Sequence, residues 1–376
     1  MLADESRSLI GWREGFIFQR LNPLEHQDWD GFLLANDISG FFHSSAWARV
    51  LVDSYAHVPC YFIVREPTGF DSDSRANQDS LSSSSLRALL PMMEVDSRLT
   101  GRRGVSLPFT DHCEPWSDSS CRWQDLWSQA VAYGKSRRWK HLEIRGPDAP
   151  PAPEAKPSLQ FYTHRLDLSQ PLDALKSRCE SSVRRAVAKA LKAGLQVEIA
   201  DSLDAVRAYY RLHCLTRKKH GLPPQPLKFF EKIHHHVLEG GHGTVILARH
   251  QGDPVAGAVY FHQHGQVLYK FGASDESRLD LRGNNLVMWT AIEHFARRQF
   301  RSLDFGRTSL AHDGLRRFKL GWGAAETRIQ YFKYSLRRDS FIQETDRVSG
   351  WHNHLFRLLP LPLLRWAGEL LYPHLA

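Results

Sequence analysis

The sequence predicts an α+β protein in which one structural plan occurs twice, with residues 1–150 and 151–338 as the two units and 339–376 as an apolar tail. The same order of strand-like and helix-like runs stands on both sides of one seam. In each copy the strands come first and a helix and a further strand follow, which describes a mixed, mainly antiparallel sheet flanked by helices rather than a doubly wound parallel one. The seam itself, GPDAPPAPEAKP (146–157), carries prolines that forbid a helix.

The N-terminal segment MLADESRSLIGWREG has no apolar stretch behind a basic start, so no secretory signal is read there and a cytoplasmic location is expected. In the first unit YFIVRE (61–66) reads as a strand, DSDSRANQDSLSSSS (71–85) as a connector too polar to pack, and LRALLPMMEV (86–95) as further strand. A helix over 127–138 then leads into HLEIRG (141–146). The second unit repeats this with VILARH (245–250), PVAGAVYFHQ (254–263), a helix over 286–298 and SLDFGR (302–307). Arg65 corresponds to Arg249, Leu86 to Pro254 and Trp127 to Trp289, and the spacing changes only through loops.

Composition narrows the class. A chain with 42% hydrophobic and 24% charged residues is a soluble globular one, neither disordered nor fibrous. The net charge of +8 is clustered, with eleven basic against five acidic residues in 171–220 and eleven against three in 297–338. Clustered charge of one sign predicts a phosphate-bearing or otherwise acidic partner. Five cysteines without a C-x-x-C pair predict reduced, mostly buried thiols. His234, His235 and His236 point about 100° apart on a helix and cannot converge on one ion, so no metal is expected.

The most specific text is SLDFGR together with GLRRFKLGWGA (314–324). Asp304, Phe305, Gly306, Arg307 and Thr308, followed by Phe318, Lys319, Trp322 and Gly323, match a D-F-G-x-[ST] strand and an F-K-x-x-[FWY]-G turn. This pattern resembles the Fem-like branch of the GNAT acyltransferase superfamily, over roughly residues 41–334, with LPFTDHCEP (107–115) and FGASDESRLDLRGNNLVMWTAIEHF (271–295) as further agreements. The resemblance implies two tandem GNAT-like units with the site in the second. It also implies transfer of an aminoacyl group from charged tRNA, or an acetyl or related acyl group from coenzyme A, to an amine of a cell-envelope or polysaccharide precursor. The donor is then a co-substrate, acyl-CoA or aminoacyl-tRNA, with no bound cofactor.

Acyl transfer to an amine passes through a tetrahedral oxyanion, so the site needs a cation or hydrogen-bond donor for the oxygen and an acceptor for the amine proton. Lys319 is the candidate for the first role, in agreement with the F-K turn of the family. Asp304, between Leu303 and Phe305 in an apolar strand, is a candidate to orient the amine, or else the partner of Arg307 in a buried ion pair. Asp111 in PFTDH is a second carboxylate, with turn capping as its alternative. Phe318 and Trp322 are candidates for an aromatic wall against an adenine or pantetheine arm, or for core packing, and Arg307, Arg316 and Arg317 supply cations beside them.

The donor's phosphates require a loop at a helix N-terminus, which GNAT enzymes build from [QR]-x-x-G-x-[GA]. Arg282, Gly283 and Asn284 occupy it here, with Asp280 at the [QR] position, a departure that weighs against coenzyme A and toward charged tRNA. A helix over 175–194, ending on Gly194, presents Val183, Val187, Ala190 and Leu191 as a packed face and Arg184 and Arg185 on a cationic one, for tRNA or a lipid-linked diphosphate acceptor or merely for solvent. The tail, 351–376, is apolar but broken by Arg357, Arg365, Glu369 and two prolines. It cannot span a bilayer, and is expected either to lie on the inner face of the cytoplasmic membrane or to pack on the second unit. A non-catalytic RNA- or anionic-lipid-binding module on the same fold is the alternative function.

Overall fold

The computed structural model describes residues 16–66, 86–346 and 351–376; the N-terminal segment and the serine-rich connector lie outside them. The chain divides into two compact units, residues 1–159 with 330–345 and 374–376, and residues 160–329 with 346–373. These bounds differ from the expected ones at 150 and 338, and the tail is no separate unit. A backbone ladder and a packed helix face, described below, override the prolines as boundary markers.

The first unit contains β1 (Ile17–Leu21), α1 (Trp29–Ala35), α2 (Ser45–Tyr55), β2 (Val58–Pro59), β3 (Tyr61–Arg65), β4 (Leu86–Leu90), β5 (Met93–Val95), β6 (Arg103–Val105), β7 (Trp116–Ser117), α3 (Trp127–Ser136) and β8 (His141–Arg145). LRALLPMMEV is two strands, since Pro91 has no amide to continue a ladder: β4 pairs with β3, and β5 with β2 and β6. Tyr61, Ile63 and Val64 are fully buried, and Phe62 joins Leu90, Trp123, Leu142 and Ile144 in the core.

The second unit begins with β9 (Leu159–Asp167), α4 (Leu172–Arg178), α5 (Ser181–Lys192), β10 (Gln196–Ala200), α6 (Leu203–Lys219) and α7 (Leu227–Ile233). Then come β11 (Gly243–His250), β12 (Asp253–Gln263), β13 (Gln266–Ser274), α8 (Gly283–Arg297), β14 (Ser302–Ser309), α9 (Asp313–Leu320) and β15 (Ala325–Ser335). Residues 330–335 of β15 belong to the first unit, where Tyr331 to Ser335 pair antiparallel with Arg145 to His141 of β8 and a short β16 (Ser340–Phe341) folds back on them. The chain returns as α10 (Trp351–Leu358) and α11 (Leu361–Leu371).

The sheet of the second unit is an antiparallel meander β10-β11-β12-β13, then β14 parallel to β13, then β9 antiparallel to β14. The parallel pairing covers only Gln266–Leu268 against Ser302–Asp304, while β13 runs on to Ser274 and β14 to Ser309. The two strands therefore part toward their C-terminal ends. The apolar face of α8, with Leu286, Met288, Ile292 and Phe295, closes a core shared with Tyr260, Leu303 and Phe305.

Two helical expectations are corrected. The basic helix is broken into α4 and α5 because Cys179 and Glu180 adopt extended backbone (ψ 141° and 148°), and Leu191 is 58% exposed instead of packed. The F-K turn is helical, with Phe318 and Lys319 in the last turn of α9. All five cysteines are free, four of them buried. Among the described residues no group of three His, Cys, Asp or Glu is arranged to hold a metal.

His57 and His213 are buried and His141 and His262 half-buried, all four favoured in their neutral form. Burial pushes His57 and His213 down to about 3 and His141 and His262 to about 4, in each case as the largest cause, with neighbouring cations adding to it. A depressed histidine pKa means that the unfolded chain binds protons the folded one refuses, so stability is complete above the unfolded value near 6.5 and is lost as pH falls toward the folded ones. The melting temperature is expected to hold above pH 7 and fall steeply between pH 6 and pH 4; a melting temperature constant over that interval, read by calorimetry, would contradict it.

Candidate active site

The D-F-G run explains its own geometry. Across β14 and β9, Asp304 faces Arg165 and Arg307 faces Thr163, so Phe305 and Gly306 bulge opposite the single residue His164. Gly306 has φ +68°, the left-handed region where a side chain would be strained. Asp304 Oδ1 accepts from the Gly306 amide at 2.7 Å, and the carboxylate also meets Thr163 Oγ1 at 3.3 Å and Arg165 at 3.9 Å. Asp304 thus shapes the bulge from within, with Arg165 as a cation beside it.

Lys319 completes the bulge. Its side chain is buried, and Nζ donates to the Gly306 carbonyl at 2.7 Å and the Arg307 carbonyl at 3.1 Å. Those carbonyls lie past Asp304, in the part of β14 that has left β13. The Lys319 amino group is therefore held where the strands diverge, with little freedom to move. The two halves of the sequence motif are one structure, a strand bulge and the lysine that closes it.

Around it stands a cluster that the sequence did not reveal. His164 is fully buried, with Nε2 at 2.9 Å from Glu326, and Glu326 receives both Arg316 Nε and Nη2 at 2.7 Å. The bidentate Arg316 bond is the chief reason the Glu326 carboxyl sits below its usual range, and Glu326 is the chief reason Arg316 is held up. Burial, as the largest cause, lowers His164, opposed by Glu326. Neutral His164 then donates from Nε2 to the carboxylate, leaving Nδ1, which has no hydrogen-bond partner, as the bare nitrogen. The Arg316 guanidinium also stacks on Tyr162 at 4.5 Å, and Arg307 on Phe161 at 4.7 Å. These partners come from β9 and the start of β15, two segments without motif text; the only sequence signal was a histidine at a core position of FYTHRLD (161–167).

Trp322 is fully buried in the core and meets Phe318 edge to face at 6.0 Å, so the aromatic wall is first of all packing. Trp322 nevertheless borders a groove of about 130 Å³, together with Lys176, Arg184, Val187, Leu191 and Trp289. Arg184 donates to the carbonyls of Ser177 and Cys179 (3.1 and 2.5 Å), capping the end of α4, while Arg185 and Arg317 are exposed. Basic α5 thus supplies one cation to the backbone and leaves the next to solvent.

At the head of α8, Arg282 is exposed with φ +62° and Gly283 opens the helix. A Cβ on Gly283 would lie 2.8 Å from Ala256 Cβ, so the glycine is what lets the helix end approach β12. Asn284 Nδ2 binds Ser274 Oγ at 3.1 Å, tying that end to β13. The first amides of the helix have no carbonyl of their own turn to bond and are available to an anion. Asp280 is exposed one short turn ahead.

Asp111 lies in the first unit, in a loop with left-handed Leu107 and Phe109 (φ 56° and 59°). Arg145 Nη1 donates to the Leu107 and Thr110 carbonyls at 3.4 Å, and Tyr331 OH to that of Asp111. Strained backbone held by a buried arginine is a pattern found at functional loops.

A family model for acetyltransferase (GNAT) domains matches residues 177–320. No curated protein sequence matches the chain. Among solved structures, the chain is similar to a crystal structure of FemX, at 15% identity and TM-score 0.62 over 85% of this chain and 98% of that one. It is also similar to a tandem GNAT protein from the clavulanic acid biosynthesis pathway, at 12% identity and TM-score 0.53 over 85% and 98%. Likeness at such identities is a likeness of fold.

Two substitutions test this geometry. Lys319→Met strands two carbonyls and is expected to lower the unfolding free energy by about 1–3 kcal/mol in urea titration. An unchanged midpoint would mean that the lysine contributes nothing to the bulge. Gly283→Ala should cost roughly 1–3 kcal/mol through overpacking, and Ala256→Gly in the same chain should restore part of it. Failure of that rescue would place the conflict elsewhere than the α8–β12 contact.

Proposed function

We propose that this chain, which carries a GNAT acetyltransferase domain at residues 177–320 in a Fem-like double GNAT fold, is an N-acyltransferase acting on an amine of a cell-envelope or polysaccharide precursor. The observation that carries the reading is the placement of the buried Lys319 amino group at the divergence of β13 and β14, in the same domain as the free amides at the head of α8. The divergence receives the acyl arm of the donor; Arg282 and the amides of Gly283 and Asn284 meet its phosphates. The amine attacks the acyl carbonyl, the oxygen gathers negative charge in the field of Lys319, and collapse expels the thiol of coenzyme A or the 3′-terminal hydroxyl of tRNA while the amine loses its proton. The amine's proton passes to the departing thiolate or alkoxide, and Asp304 positions the bulge.

Of the two donors, charged tRNA is the one favoured here, because Asp280 sets a carboxylate beside the phosphate loop and basic α5 offers Arg185 to a polyanion. On this reading the protein works in the cytoplasm, at the inner face of the membrane where the acceptor is lipid-linked. A second reading, a binding module for RNA or anionic lipid without turnover, is favoured by the two carbonyls that already bind Lys319.

The discriminating measurement presents the purified chain separately with charged tRNA and with acyl-coenzyme A, scoring thermal shift and transfer to an amine acceptor. A shift with charged tRNA and none with coenzyme A is expected; the reverse would overturn the donor assignment. Lys319→Ala should cut transfer by about 10²–10³ while RNA binding persists. Binding of RNA with no turnover from either donor, in the unsubstituted chain, would establish the binding module instead.

A further inference from the structure

The helices α10 and α11 carry two apolar faces, and the second unit covers only one of them. On the covered face Leu364 is fully buried, Gly368 lies so close to Pro224 that a Cβ would meet its carbonyl oxygen at 2.0 Å, and Tyr372 OH bonds both Arg217 (2.8 Å) and the Pro223 carbonyl (3.2 Å). Asn353 binds the His220 carbonyl at 3.2 Å, seating α10 on the C-terminal end of α6. On the other face Leu355, Leu358, Leu363, Trp366 and Leu370 are 51 to 70% exposed, although solvent is a costly place for five large apolar side chains in one run. Their spacing of three or four residues within each helix makes them one stripe.

We propose that this stripe docks on the surface of an anionic lipid bilayer. No described helix is long and apolar enough to cross a membrane, and Pro360 separates the two, so they lie flat on it. Charge decides for anionic lipid: Arg357 and Arg365 flank the leucines, Glu369 is the only carboxylate from 351 to 376, and the α6 end under α10 adds Lys218 and Lys219, the latter paired with Glu276. Exposed Trp366 suits the headgroup level, where an aromatic ring keeps its polar edge wet. A second copy of the chain is the poorer occupant, because a two-fold contact through this stripe sets its two arginines against the same two with one glutamate each to offset them. The proposal stands apart from acyl transfer, since binding is read without turnover.

The test is co-sedimentation of the full chain with vesicles of phosphatidylcholine alone and of phosphatidylcholine with phosphatidylglycerol. Binding to the anionic vesicles, weakened by added salt, is expected, with a loss of about tenfold or more in Leu358→Ser/Trp366→Ser, whose side chains are exposed and whose melting temperature should be unchanged. Arg357→Glu should weaken binding to the anionic vesicles alone. The proposal is overturned if neither vesicle sediments the protein or if the double variant binds as well as the parent. It is equally overturned if the protein is a dimer in solution that the double substitution dissociates, which would make the stripe a self-interface.

Discussion

A buried lysine amino group holding two backbone carbonyls is the contact on which the second unit's site depends. Gly306 and Arg307 turn their carbonyls out of the β14 ladder because the strand bulges there, and a buried carbonyl without a donor costs more than an ordinary bond contributes. Lys319 meets both. It reaches them only because α9 follows β14 through a short connection and ends with the lysine on its inner side. Asp304 holds the other side of the bulge through the Gly306 amide, so an acid and a base flank one glycine.

That clamp links fold and chemistry. Where β14 leaves β13 their pairing ends after three residues, and that divergence is the place proposed for the donor's acyl arm. The bulge bends β14, and the buried lysine bonds the two carbonyls that the bend turns out of the ladder. The His164–Glu326–Arg316 chain supports this from β9 and β15, where Glu326 satisfies a neutral histidine and a charged guanidinium with one carboxylate.

Much of the site was legible because its parts are local. Gly306 is required by a positive φ, Asp304 by an amide two residues away, and Gly283 by a helix end pressed against a strand, and each of these leaves a mark in a few consecutive residues. The rest was not, because its partners are distant in the chain. Nothing near His164 marks Glu326, and nothing near Asp304 marks Arg165 as a cation beside it. Trp322 fits a ligand wall or the core by its spacing and lies in the core, and Leu191 fits a packed face by spacing but is exposed, while Val183 and Ala190 of the same helix are buried.

The sequence by itself determined the α+β class, the doubled order of elements, the resemblance carried by the D-F-G and F-K runs, and the clustering of positive charge, all of which depend on residue type and spacing along the chain. Only the tertiary structure decided that residues 330–345 join the first unit and 346–373 the second, that the F-K pair is helical, and that Lys319 closes a bulge. The reason is physical. Periodicity and turn chemistry act between neighbours, whereas strand partners, ion-pair choice and the covered face of a helix follow from which surfaces meet, and that is fixed by the whole chain's burial at once.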